Sequence, residues 1–238
     1  MIAANREDVL TLSSFNELAV GWLTMFVIGS DLFVVSPLLP LIAVDYAIPS
    51  ASAGLSVTVF SLTYMLSAPL FGHIADRIGR RRVVTCCLYV FAIANLLTAM
   101  AGNLTWLLAA RLLAGASAGG VSPSIYALAG GRAPANRRAT WLAIVVSGLL
   151  MSLSFGAPIG LLAAATLGWQ RVFAGLGTLS ALLVWANHRV WQDSPVAANS
   201  AMPCNRLSAA TVADRLAPTV IWSTALYAMY TYLGEGLT

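Results

Sequence analysis

The chain has 238 residues, of which 59% are apolar and 9% charged, with a formal net charge of +4. A soluble domain carries about 25% charged residues, and a disordered chain needs low hydrophobicity and high charge, so both classes are excluded. The apolar content suffices for about seven spans of ~20 residues, and the arginines lie between apolar runs, which points to membrane topology rather than nucleic acid as the reason for the basic balance.

The first fifteen residues are mixed polar, with Arg6, Glu7 and Asp8, and carry no signal-peptide pattern; residues 1–17 are read as a cytoplasmic tail. Apolar runs then predict helices over 18–41, 52–73, 83–101, 104–129, 139–163, 172–191 and 217–237. They are too long for the ~10-residue alternating strands of a membrane barrel. The polar stretch 192–216 is the longest and reads as a central linker. The expected fold class is therefore all-α: a polytopic membrane protein with a six-helix domain over 18–191, a cytoplasmic linker over 192–216 and a seventh helix over 217–238.

All thirteen basic residues are arginine. Eleven fall on one side: Arg6; Arg77, Arg80, Arg81 and Arg82; Arg132, Arg137 and Arg138; Arg189, Arg206 and Arg215. The other side holds Arg171, and Arg111 lies inside the fourth span. This bias places the amino terminus and the even-numbered loops in the cytoplasm, with the chain in the inner (plasma) membrane. Cys86, Cys87 and Cys204 lie on a membrane helix or a cytoplasmic loop, where disulfides are not favoured, and their spacing forms no metal pattern. No metal, cofactor or nucleic-acid partner is expected.

An ionisable residue in the hydrocarbon costs ~3 kcal/mol or more and marks a function or a partner. Asp31 in the first span and Arg111 in the fourth are such residues, at about the same depth, and are expected to face a shared cavity. Arg111 would there tune the protonation of Asp31 or orient a substrate. Gly156, Pro158 and Gly160 in the fifth span read first as packing and kink residues, with Pro158 a candidate hinge. Trp22, Trp106, Trp141 and Trp169 lie near span ends, where aromatic belts form.

The chain also repeats itself. Ala68-Pro69, Gly79 and Arg82-Val83 recur at an offset of 89 as Ala157-Pro158, Gly168 and Arg171-Val172. Val35-Ser36-Pro37 recurs as Val121-Ser122-Pro123 at an offset of 86. Spans 1–3 (about 18–101) and 4–6 (about 104–191) thus read as two copies of one unit. An odd number of spans inverts the second copy, the design of secondary transporters that handle substrate between repeats.

The sharpest motif is Gly72-His73-Ile74-Ala75-Asp76-Arg77-Ile78-Gly79-Arg80-Arg81-Arg82 between the second and third spans. Its glycines permit close approach and positive φ, and an acid set among arginines is more than topology requires. The stretch resembles the signature loop of the major facilitator superfamily, G-x-x-x-D-R-x-G-R-R/K, matching at Gly72, Asp76, Arg77, Gly79, Arg80 and Arg81. The resemblance implies that this loop gates alternating access between two six-helix halves. Arg111 to Gly115 is similar to the R-x-x-x-G helix of proton-coupled members. Gly156-Ala157-Pro158-Ile159-Gly160 and Gly168-Trp169-Gln170-Arg171-Val172-Phe173 resemble the G-x-P-x-G and G-W-R-x-x-F patterns of drug and sugar antiporters, with Ala157 before the proline where Gly is usual and Gln170 where Arg is common. Leu38-Leu39-Pro40-Leu41-Ile42-Ala43-Val44-Asp45 resembles the L-L-P-x-I-A-x-D element of twelve-helix efflux permeases, and Tyr230-Thr231-Tyr232-Leu233 the start of their seventh helix.

Two rivals of similar length fail. A retinal protein needs a Schiff-base lysine, which is absent. An intramembrane serine protease needs a membrane histidine, whereas His73 and His188 are read on the cytoplasmic side. The expected function is proton-coupled efflux of drugs, sugars or small metabolites, with protons and a small molecule as partners inside a lipid bilayer and a carboxy-terminal six-helix half missing from the sequence. The alternatives are an uptake permease of the same fold and an inactive truncated half-transporter.

Overall fold

The computed structural model describes residues 2–191 and, beyond them, Asp214, Ala217, Pro218, Val220, Ile221 and Ala225. The linker over 192–216 and the seventh helix over 217–238 otherwise lie outside the described residues. The chain divides into two units, 1–196 and 197–238, and the first carries the bundle.

Seven α-helices form the bundle: α1 (Ile2–Asp45), α2 (Ser50–Ile78), α3 (Arg80–Ala99), α4 (Leu104–Arg132), α5 (Arg138–Met151), α6 (Ala157–Leu167) and α7 (Trp169–Val190). A π-helical turn, Ser152–Gly156, joins α5 to α6, so these two make one crossing. Among the described residues, five crossings are long and apolar enough to span a membrane. The sixth, α7, has 22 residues, or ~33 Å, but its ends are polar, with Gln170, Arg171, Asn187, His188 and Arg189.

Every crossing is longer than its apolar run. Hydropathy stops where charges begin, but a helix stops where its backbone is capped. The segment 1–17, read as a tail, is helical from Ile2 onward and continuous with α1, whose membrane-compatible part is Ser14–Asp45. At its far end α1 closes in a Schellman turn: Ile48 N–H reaches Ala43 O at 3.0 Å and Ala47 N–H reaches Val44 O at 3.2 Å, with Ala47 at φ 51°. Asn103 caps α4 through Trp106 N–H at 2.9 Å. Pro158 lacks an N–H and crowds the carbonyl four residues back; the π turn before it absorbs that mismatch.

The repeat has a backbone counterpart. Gly79 (φ 97°, ψ 136°) ends α2 and starts α3, and Gly168 (φ 90°, ψ 150°) ends α6 and starts α7. Gly79 N–H bonds Ala75 O at 3.0 Å, and Gly168 N–H bonds Ala164 O at 2.9 Å, the same offset of 89. Both corners need positive φ, which glycine alone adopts without strain.

Helices are exchanged between the repeats. The first helix of each copy packs on the second helix of the other: α1 against the α5–α6 crossing, and α4 against α2. Both seams are built from small residues. A Cβ at Gly115 would strike the Phe60 carbonyl, and one at Gly119 would strike Ser67 Oγ and the Tyr64 carbonyl. On the other seam, Gly148 faces the Trp22 carbonyl and Gly156 faces Ser30. Without a hydrophobic force between helices in lipid, this close approach supplies the van der Waals contact that holds them. One core cluster centres on Met25, Ile28, Phe91, Val121 and Ile125, and a second, towards the arginine-poor end, on Val34, Leu38, Leu107, Trp169 and Phe173.

Gly72 behaves differently. It lies inside α2, and a Cβ there would meet nothing within 4 Å, so the close approach expected of it is not made in this conformation. Accordingly, Gly115→Ala should cost about 1–3 kcal/mol of stability from overpacking, whereas Gly72→Ala should be neutral or gain up to ~1 kcal/mol of helix propensity. Thermal unfolding of the two variants in detergent checks this; equal losses would contradict the packing argument.

Candidate functional site

Asp31 and Arg111 meet in the middle of the bundle. Arg111 Nη2 lies 3.0 Å from Asp31 Oδ1 and 2.7 Å from Oδ2, and both side chains are 0% exposed. The pair is thus enclosed rather than open to a cavity. Phe60 of α2 and Phe173 of α7 lie over the guanidinium, with ring centroids 4.9 and 5.1 Å from Cζ. Four elements, α1, α2, α4 and α7, therefore converge on two charges. Arg111 Nε and Nη1 have no hydrogen-bond partner among the described residues, so the aromatic rings supply part of what water would have supplied. A buried pair repays its desolvation only with good geometry and further contacts. A proton on Asp31 would cancel one of the two charges and loosen the grip on Arg111, so the arrangement is suited to a proton-dependent step.

A second ion pair joins the same two helices at the arginine-rich end. Arg132 Nε donates to Glu17 Oε1 at 3.0 Å, and the side chains are 27% and 4% exposed. Sequence reasoning missed it, because Glu17 sat at the boundary of the supposed tail and Arg132 was counted as a topology charge. The signal available was an acid at the head of an apolar run. Nearby, Asn187 Nδ2 donates to Thr24 Oγ1 at 2.9 Å, and Trp191 Nε1 donates to Asn187 Oδ1 at 2.9 Å, a buried polar link between α7 and α1.

The signature loop is mostly exposed. Asp76 and Arg77 lie in the last turn of α2, and Gly79 makes the corner. Arg80 Nη2 approaches Asp76 Oδ1 at 3.5 Å with both side chains exposed, an interaction worth little by itself. The arginines do more by reaching other helices: Arg80 Nη1 donates to Ala127 O of α4 at 3.3 Å, and Arg81 Nη2 donates to His188 O of α7 at 2.6 Å. Cations at helix carboxyl ends complement the dipole.

Gly156 and Gly160 turn towards Ser30 and Val34 of α1, while Pro158 faces outward. One further reading is corrected by geometry. Trp141 and Trp169, placed by sequence in interfacial belts, are buried. Gly115-Ala116-Ser117-Ala118-Gly119 has the spelling of a serine-hydrolase nucleophile elbow, but Ser117 lies inside α4 and its hydroxyl donates back to Leu113 O and Ala114 O. A groove of about 630 Å³ lined by Leu97, Asn103, Trp106 and Leu113 includes neither Asp31 nor Arg111.

The family model described as Major Facilitator Superfamily matches residues 21–234. Among curated proteins, the uncharacterised MFS-type transporter YbcL of Bacillus subtilis is 29% identical over 216 residues, covering 89% of this chain and 55% of YbcL. YwfA of the same organism, also an uncharacterised MFS-type transporter, is 30% identical over 175 residues, covering 73% of this chain and 42% of its own. The quinolone resistance protein NorA of Staphylococcus aureus is 27% identical over 172 residues, covering 70% and 44%. The chain spans about half the length of these relatives. Among solved structures, a bacterial homolog of the human lysosomal transporter Spinster, inward-facing and unoccupied, superposes with a TM-score of 0.72 at 19% identity, covering 90% of this chain and 51% of that one. The xylose transporter XylE from E. coli, partially occluded and inward open, gives 0.68 at 18% identity, covering 76% and 50%.

If Asp31 and Arg111 stabilise each other, Arg111→Leu alone should cost about 3–5 kcal/mol by leaving a buried carboxylate, and Asp31→Leu with Arg111→Leu should recover most of it. Thermal unfolding of the single and double variants decides the point; a double variant as unstable as the sum of the singles would contradict it.

Proposed function

Because the chain belongs to the major facilitator superfamily, and is accordingly an integral membrane protein, we propose that it exports a small molecule in exchange for protons. The observation that carries this reading is the fully buried Asp31–Arg111 pair at the junction of α1, α2, α4 and α7. Two charges held away from water are costly, and such residues mark functional sites in membrane helices; a carboxylate paired with a fixed cation can bind and release a proton as its surroundings alternate. Asp31 is the proton acceptor and Arg111 sets its charge state or meets the substrate.

The remaining assignments follow from the same frame. The arginine-rich end faces the cytoplasm of a cell with an inner membrane, by the excess of arginine there. The loop from Gly72 through Asp76, Arg77, Gly79, Arg80 and Arg81 gates that end, supported by the bonds from Arg80 to α4 and from Arg81 to the last turn of α7. Pro158, between Gly156 and Gly160 and directly after a π turn, is the hinge of its crossing. Of the five apolar crossings, α2 and α5–α6 are the least buried, and these faces suit a second six-helix half. Drug efflux is favoured over other export by the similarity to NorA, named for quinolone resistance.

The test uses everted membrane vesicles from cells expressing the chain, with a quinolone as the probe and an imposed proton gradient. Gradient-driven uptake is expected, and Asp31→Asn should reduce it to the level of vesicles without the protein. Undiminished uptake in Asp31→Asn would remove Asp31 from the mechanism, and no gradient-dependent uptake in the parent would overturn export by this chain.

A further inference from the structure

At the arginine-poor end, α1 finishes at Asp45 and α7 begins at Trp169. Asp45 Oδ2 accepts from Trp169 Nε1 at 3.1 Å and from Gln170 Nε2 at 2.8 Å. Trp169 is 3% exposed and meets the Tyr46 ring edge-on at 5.8 Å. The Tyr46 hydroxyl donates to Ala101 O at 2.7 Å; burial and the Asp45 charge push it up to about 12, so it keeps its proton. One turn further along α7, Phe173 lies almost perpendicular to Trp169, centroids 6.0 Å apart at 78°. Phe173 in turn covers the guanidinium of Arg111 at 5.1 Å, and Arg111 holds Asp31. The contacts run Asp45, Trp169, Phe173, Arg111, Asp31. They leave α1 and return to it, at points fourteen residues or ~21 Å apart along the helix.

We propose that Phe173 is the positioning residue through which the arginine-poor end of the bundle sets the Asp31–Arg111 pair, and that Asp45, Trp169 and Gln170 hold Phe173 in place. The proposal deepens the reading of that pair as the coupling site and rests on it. Trp169 and Phe173 are spaced four apart, which puts them on one face of α7. Two donors converge on one carboxylate oxygen, so withdrawal of α7 from α1 would cost Asp45 both bonds. It would also carry Phe173 off a guanidinium whose Nε and Nη1 have no hydrogen-bond partner among the described residues, leaving Phe60 as its one aromatic cover among those contacts. The pair therefore cannot keep its present surroundings when this end opens.

The cluster also has a counterpart at the opposite end. Gly79 is followed by Arg80, which bonds Ala127 O, five residues before the end of α4; Gly168 is followed by Trp169 and Gln170, which bond the end of α1 at Asp45. In each repeat the third helix begins by gripping the later half of the first helix of the other repeat. At the arginine-rich end the grip is an exposed guanidinium on a carbonyl. At the arginine-poor end it is a buried indole and an amide on a carboxylate, one turn from the aromatic cover of the charge pair.

The test is a double-mutant cycle on the full chain in lipid nanodiscs, read as the thermal unfolding midpoint. Phe173→Leu removes the ring face. Trp169→Phe keeps a ring and removes the N–H, and it carries the test if Phe173→Leu does not fold. Each is combined with Asp31→Asn. The double variants should lose about 2–4 °C less than the sum of the singles, while Val145→Ala, buried beside Gly21 ten residues from Asp31 along α1, should add to Asp31→Asn without coupling. Losses that simply add in the Phe173 or Trp169 cycle that folds would overturn the proposal. The readout involves no transport, so a failure of proton-coupled export and a failure of this coupling are told apart.

Discussion

The structure depends on keeping two opposite charges dry. Asp31 and Arg111 have no solvent exposure, and a lone ion at that depth would be expensive. The pair must be brought to hydrogen-bond distance across two helices separated by eighty positions in sequence. That requirement fixes how α1 and α4 face each other, and it explains why α2 and α7 each contribute an aromatic ring at the same level. Glu17–Arg132 repeats the device at the arginine-rich end, so the first helices of the two repeats are tied at two depths by charge.

What surrounds the pair is packing of a simple kind. Lipid offers no hydrophobic reward for helix association, so the bundle uses close approach. Gly115 and Gly119 let α4 press onto α2, and Gly148 and Gly156 let α1 press onto the α5–α6 crossing. These seams are equivalent under the inverted repeat. The two corners at Gly79 and Gly168 share both their dihedrals and their capping bond. The asymmetry lies in chemistry: one end carries guanidinium groups, the other an indole, an amide and a carboxylate. An inverted repeat gives two similar corners, and substitution gives them different chemistry.

Several elements of this fold were legible from residues alone, for physical reasons. Apolar runs find the crossings because hydrocarbon tolerates little else, although their ends were misjudged: a helix ends at a cap such as Gly79 or the Schellman turn at Ala47, not where hydropathy falls. The repeat was legible because its anchors are Pro and Gly, whose backbone demands cannot be met by other residues. Asp31 and Arg111 stood out because charge is rare in a span. Glu17 did not, since an acid near a helix end looks like a solvated residue until its partner is known. Trp169 was misread as an interfacial anchor for the same reason: position along a helix was visible, but its partner on another helix was not.

The sequence by itself determined the membrane class, the family, the six crossings of the bundle and the identity of the buried charges, because each follows from local composition or from a contiguous motif. Only the tertiary structure decided that Asp31 and Arg111 form one enclosed pair, that Phe60 and Phe173 cover it, and that Asp45 of one motif meets Trp169 and Gln170 of another. Those facts depend on which helix faces set against each other. That is a property of small-residue seams acting between distant segments, and no single stretch of the chain carries it.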